Sequence, residues 1–172
     1  GPGMVIKPDV IDRALHSLKS NDFPIYYLSP RGVKLDAQIS NSISKLDGMT
    51  LVCGKYEGVD ERVIRHYNMI EISIGDYILS GGDLAAMVLI DSVVRCLPNV
   101  LGNPLTLNDE TFTNHLLEYP LYTQPREWKN YKVPDVLLSG DHKKIKNWKI
   151  KQSEDITMKR RPDLWKKYLK LK

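Results

Sequence analysis

The chain has 172 residues, with 25 Lys+Arg against 21 Asp+Glu, 42% hydrophobic residues and 27% charged residues. These are globular proportions, enough for one good core and a small annex but not three independent domains. No apolar run approaches the roughly 18 residues of a membrane span, so no membrane partner is expected. GPGMVIKPDV lacks the basic leader and apolar stretch of a signal peptide. Cys53 and Cys96 stand alone, without Cys-x-x-Cys spacing or clustered His, which argues against a metal site. Two lone cysteines in apolar surroundings suggest buried thiols in a reducing compartment, hence a cytoplasmic protein.

The charge is divided unevenly. Arg126 to Lys172 holds 15 Lys+Arg and 6 Asp+Glu, a net of +9, and the preceding residues carry a net of −5. Such a basic last third points to a polyanionic partner or to a solvated basic surface.

Phe23 to Leu28 (FPIYYL) reads as a strand ending in the turn signal Ser29-Pro30-Arg31-Gly32. Val33 to Leu46 has a helical mix, and Met49 to Cys53 is a second strand. Asp60 can cap a helix to about Tyr67. Met69 to Ile74 gives a third strand, followed by a glycine-rich turn over Gly75 to Gly82. Asp83 then caps a helix from Leu84 to Leu97, stopped by Pro98 and apolar on nearly every side, which predicts burial in a core or an interface. Strands separated by helices indicate an α/β architecture with parallel pairing. A linker begins near Gly102. Beyond it, short helical pieces are punctuated by Pro120, Pro125 and Pro134, and His142 to Lys151 and Pro162 to Leu171 read as Lys-rich helices. Trp128, Trp148 and Trp165 all fall in this basic part, where they are expected to form its small core.

Three glycine-bearing turns follow the three strands, where open α/β sheets bind ligands. Neither G-x-x-x-x-G-K-S/T nor G-x-G-x-x-G occurs, which removes the nucleoside-triphosphate and dinucleotide readings. CGKYEGVDER (53–62), SIGDYILSGGDLAAMVLIDSVVR (73–95) and VPDVLLSGDH (133–142) closely resemble the bacterial tRNA (guanine-N1)-methyltransferases of the TrmD type, in the SPOUT superfamily. YLSPRG (27–32), LEYPLYTQPREW (117–128) and GPGMVIKP (1–8) fit the same family, so the resemblance spans essentially the whole chain.

The resemblance implies a SPOUT-type parallel sheet with a deep trefoil knot, followed by a small helical C-terminal domain. It implies a knotted S-adenosylmethionine-binding domain over 1–102, a linker over 103–112 and a basic tRNA-binding domain over 113–172. Family members carry a further N-terminal segment with the first strand, so that strand is expected to be missing here. The implied reaction moves a methyl group from S-adenosylmethionine to guanine N1 at position 37 of tRNA, beside the anticodon. The family works as a homodimer with shared active sites, and no DNA partner is expected.

By the same resemblance, the cofactor falls to Tyr27, Leu28, Ser29 and Pro30; to Gly54, Tyr56, Glu57 and Gly58; and to Ser73, Ile74, Gly75, Asp76, Tyr77, Ile78, Leu79, Gly81 and Gly82. Arg95 is assigned to the active site, against an alternative i, i+4 pair with Asp91. Anchoring on Phe112 makes Glu110 the general base, with Asp109 one step earlier as the other carboxylate or as a helix cap. Ser139 to His142 are implied to meet the tRNA or the partner subunit. Two other readings stand beside this one: a SPOUT enzyme acting on another RNA atom, and a non-catalytic RNA-binding module.

Overall fold

A computed structural model describes residues 3–18, 22–100 and 111–172. They fall into two compact units, 1–102 and 103–172, and each is described by itself.

The first unit is built on a three-stranded parallel sheet of β1 (Ile25–Lys34), β2 (Thr50–Cys53) and β3 (Ile70–Ser73), in the order β2-β1-β3. Its helices are α1 (Pro8–His16), α2 (Ala37–Ile43), α3 (Glu61–His66) and α4 (Asp83–Val94). Side chains on a strand alternate between faces, and β1 uses both. Tyr26 and Leu28 join Ile72, Ile43, Ala86 and Leu89 in one apolar layer. Tyr27 joins Val52, Val63, Ile64, Met69 and Leu15 in the other. The sheet is thus covered on one side by α2 and α4 and on the other by α1 and α3, which explains why its strands read as continuous apolar runs.

The turn signal after Leu28 does not reverse the chain. Leu28 pairs with Ile72, four residues bulge outward, and Val33 then meets the same Ile72 before Lys34 pairs with Ser73. The helical mix expected from Val33 therefore begins later, because hydrogen bonds to β3 claim Val33 and Lys34 as strand. Asp36 starts α2 by accepting from the Ile39 N–H at 2.9 Å. Gly32 is required here, because a Cβ would run into the main chain of Glu71 and Ile72.

Helix α3 begins as expected at Asp60, whose carboxylate accepts from the Arg62 N–H at 2.9 Å. Helix α4 is shorter than its pattern, ending at Val94, and Gly82 rather than Asp83 takes the cap position. Its apolar character also divides. Ala85, Ala86, Leu89 and Val93 are buried, whereas Leu84, Met87, Val88, Ile90 and Val94 are exposed. Cys53 is exposed and Cys96 half-buried, which corrects the expectation of two buried thiols. Helix α1, absent from the pattern of expected elements, starts at a Pro in its first turn and packs Leu15 and Ile11 into the second apolar layer.

The second unit contains a 3-10 turn (Thr113–His115), a small antiparallel hairpin of β4 (Glu127–Trp128) and β5 (Tyr131–Lys132), and helices α5 (Asp135–Leu138), α6 (His142–Arg160) and α7 (Pro162–Tyr168). Asp141 caps α6 by accepting from Lys143 N–H and Lys144 N–H. This helix runs nine residues past the expected Lys151 because Ser153 and Thr157 are buried polar residues with partners. The Thr157 hydroxyl donates to the Ser153 carbonyl at 2.6 Å and accepts from the Leu117 N–H at 2.8 Å. Leu164 closes this small core. Trp148 and Trp165 are half-buried, but Trp128 is exposed, contrary to the expectation that all three tryptophans form the core. Among the described residues no helix is long and apolar enough to cross a membrane.

Candidate functional site

The carboxyl ends of β2 and β3 leave their following loops beside the bulge in β1, close to the usual location for a ligand in an open α/β sheet. Here the β1 bulge, the loop after β2 and the loop from β3 to α4 enclose a cavity of about 520 Å³. Leu28, Ile72, Ile74 and Ala85 give it an apolar floor, and Ser29, Ser73, Lys55 and Glu57 contribute polar groups.

The loops are held by main-chain bonds. The Gly82 N–H donates to the Gly54 carbonyl at 2.8 Å, and Lys55 and Gly81 form an isolated antiparallel bridge. A Cβ on Gly82 would lie 2.9 Å from the Cys53 Cα and 3.0 Å from the Gly54 nitrogen, so glycine alone permits this approach. In the third loop the Ser73 hydroxyl bridges the N–H and carbonyl of Gly75, and the Tyr77 N–H donates to the same carbonyl at 3.0 Å. In the bulge, the Ser29 hydroxyl accepts from the Arg31 N–H at 3.2 Å. The amino-terminal segment seals one side, with the Glu57 N–H donating to the Met4 carbonyl and the Ile6 N–H to the Gly58 carbonyl.

Electrostatics follow from burial and from one ion-pair cluster. Burial raises the Tyr27 phenol above its ordinary value, opposed by a hydrogen bond from the Val59 main chain, so the wall it forms stays neutral. Arg31 donates to Glu61 at 3.1 Å and to Glu71 at 3.2 Å, which pins the bulge to α3 and β3. Those bonds hold the guanidinium pKa up. Hydrogen bonds from Arg31 and Arg65 hold the Glu61 carboxyl below its usual range. Partial desolvation and the nearby Asp83 carboxylate raise the Cys53 thiol.

Sixteen of the seventeen residues expected to contact the cofactor line this cavity, the departure being Asp76. Its carboxylate, 92% exposed, pairs instead with Lys34 at 3.5 Å. Val5, Arg31, Lys55, Val59, Glu61, Ile72 and Ala85 also line it and were not expected. Arg31 and Lys55 were within reach of the sequence, since each sits inside a glycine turn already singled out. Arg95 is exposed, one residue past α4. Asp109 and Glu110 lie outside the described residues, as does most of the expected linker.

The model of the family described as tRNA (Guanine-1)-methyltransferase TrmD matches residues 1–167. The chain belongs to that family. It is 54% identical over 170 residues to the tRNA (guanine-N(1)-)-methyltransferase of Pelagibacter ubique (strain HTCC1062), covering 99% of this chain and 75% of that one. The enzyme of the same name from Rhodospirillum rubrum is 52% identical over 169 residues, covering 98% and 71%. That of Ruegeria pomeroyi is 48% identical over 171 residues, covering 98% and 70%. A parallel α/β sheet with a cavity at its carboxyl edge accords with membership of the TrmD family.

The cavity has the dimensions of a small-molecule site, which run from roughly 300 to 1,000 Å³. Its chemistry suits S-adenosylmethionine. An apolar floor and close-approaching glycine main chain can receive a flat adenine, and the Glu57 carboxylate at the wall complements a cationic sulfonium and ammonium.

Proposed function

We propose that the chain transfers a methyl group from S-adenosylmethionine to N1 of the guanine at position 37 of tRNA. The observation that carries this is the glycine-walled cavity of about 520 Å³ at the carboxyl edge of the parallel sheet, in a chain of the TrmD family. When bound, S-adenosylmethionine supplies an electrophilic methyl group on a sulfonium whose neutral thioether leaves readily. Tyr27 to Pro30, Gly54 to Gly58, Ser73 to Gly75, Tyr77 to Leu79, Gly81 and Gly82 would hold it, with Leu28, Ile74 and Ala85 keeping water from the adenine face.

Guanine N1 carries a proton at neutral pH, so the protein must remove it and offset the charge that develops on the ring. Glu110 accepts this proton, with Asp109 the alternative one residue earlier. Arg95 faces guanine O6, where a fixed cation is most useful. Residues 113–172 bind tRNA through Lys and Arg on α6 and α7, which neutralise phosphates and make affinity fall steeply with salt. Position 37 lies in a loop, where an unpaired base can be turned into a pocket.

Two chains form a homodimer, each site using the cofactor loops of one subunit and residues 113–172 of the other. The exposed apolar face of α4 supports this, because that much uncovered aliphatic surface on one helix suits a subunit contact. Residues 1–102 adopt the SPOUT trefoil knot, and the enzyme works in the cytoplasm on tRNA.

The deciding experiment measures methyl transfer from labelled S-adenosylmethionine to two tRNA transcripts that differ only at position 37. The guanine transcript is expected to yield 1-methylguanosine and the adenine transcript none. Equal labelling of both, or label recovered on a ribose, overturns the proposal.

A further inference from the structure

The hairpin β4–β5 is the smaller of the two sheets among the described residues and has an unusual exposed face. Trp128 and Tyr131 are cross-strand partners on either side of a two-residue turn, Lys129-Asn130. Both turn residues have positive φ, 47° and 68°, which is the geometry that matches the natural twist of a tight hairpin. Directly opposed residues point to the same face, so both aromatic side chains leave the hairpin on one side. Trp128 is 59% exposed and Tyr131 75% exposed. Two large aromatic side chains left in water have a cost that a packed unit normally avoids.

Charge decides which occupant suits this face. The Lys129 ammonium lies 4.9 Å from the Trp128 ring centre. Arg126 and Lys132 add positive charge to the same short hairpin, though Lys132 lies on the opposite face from the rings, where it pairs with Glu127 at 3.7 Å. Protein interface cores are depleted in lysine, so another subunit is a poor match for an indole with a lysine ammonium against it. Single-stranded nucleic acid is a good match, because its bases offer flat faces for stacking and its phosphates seek the adjacent cations.

We propose that the Trp128–Tyr131 face is a stacking platform for an unpaired base of the tRNA. This rests on the function proposed above and adds a contact that reads the RNA as unpaired rather than merely anionic.

The test measures binding of an unmodified tRNA transcript to the whole chain and to the variants Trp128→Ala, Tyr131→Ala, Trp128→Phe and Tyr131→Phe. Each alanine variant should bind roughly 5- to 150-fold more weakly, the usual range for losing one base stack. The phenylalanine variants keep a ring face and should retain the parent affinity. The slope of affinity against salt should be unchanged in all four, because no phosphate-neutralising cation is removed. Lys129→Ala should lower that slope by about one.

Alanine variants that bind like the parent overturn the platform, as do phenylalanine variants that are as weak as alanine. Sedimentation of the alanine variants at a lower mass than the parent also overturns it, since the rings would then belong to a subunit contact. A parent chain that does not bind tRNA sinks the proposed function and this inference together. A parent that binds and methylates tRNA, with unaffected variants, sinks the platform alone.

Discussion

Gly82→Ala tests whether the cavity wall depends on close main-chain approach. The new Cβ would stand 2.9 Å from the Cys53 Cα and 3.0 Å from the Gly54 nitrogen, where ordinary contact begins at 3.4 Å. Both obstacles are main-chain atoms at the end of β2, so neither can swing aside as a side chain would. Relief requires α4 and β2 to part by about half an ångström, which stretches the 2.8 Å bond from Gly82 N–H to the Gly54 carbonyl towards its limit. Overpacking of this kind costs about 1–3 kcal/mol, and weakening that bond adds up to about 1 kcal/mol. Gly54, Gly81 and Ala85 share the displaced wall, so affinity for S-adenosylmethionine should fall as well.

Denaturant unfolding and titration calorimetry with S-adenosylmethionine read the two effects separately. Gly140→Ala is the comparison, because Gly140 has φ +70° but nothing within 4 Å of its Cβ position. There the cost is conformational alone, about 1 kcal/mol, which separates left-handed strain from the overpacking at Gly82. If Gly82→Ala unfolds at the parent's denaturant concentration and binds S-adenosylmethionine equally well, close approach is not what shapes the wall.

Thr157→Val preserves shape but strands the Leu117 N–H inside the second unit, and should destabilise that unit by about 1–3 kcal/mol, read as a lower melting temperature. An unchanged melting temperature would show that Leu117 N–H finds another acceptor. Asp60 and Asp163, each hydrogen-bonded to a neighbouring arginine, are lowered from an ordinary 3.8 to about 2. Depressed carboxylates stabilise the folded state above pH ~4 and lose that contribution as pH falls through about 2. Carboxyl carbon NMR should place both midpoints near 2, and midpoints near 4 contradict the pairing. Arg95→Ala should slow methyl transfer roughly 10²- to 10³-fold while leaving S-adenosylmethionine affinity intact; an unchanged rate removes Arg95 from the chemistry. Leu84→Glu together with Met87→Glu places charge on the exposed face of α4. That pair should convert a dimer to monomers in sedimentation, and a persisting dimer means that another surface joins the subunits.

What was legible in the residues was mostly local. FPIYYL, MTLVC and the run after Met69 announce strands because β-branched and aromatic residues favour a pleated, buried surface. Asp60 announces α3 because its carboxylate satisfies an N–H that the helix cannot. The three glycine turns and their order along the chain already outlined the cavity, and the long motif at 73–95 carried the family.

What only the tertiary structure decided involves partners distant in sequence. β1 runs on to Lys34 because β3, about forty residues later, offers hydrogen bonds to Val33 and Lys34. Helix α6 continues through Ser153 and Thr157 because the Leu117 N–H, forty residues before Thr157, makes a buried hydroxyl tolerable. Asp76 sits in the middle of the third glycine turn, yet it points outward to Lys34 rather than into the cavity. An apolar count for α4 gives no account of which aliphatic side chains the sheet covers and which it leaves bare. Whether Trp128 packs or stands in water likewise depends on a twisted two-residue turn and on what surrounds it. Composition speaks to what a residue prefers; long-range packing settles which of those preferences is met.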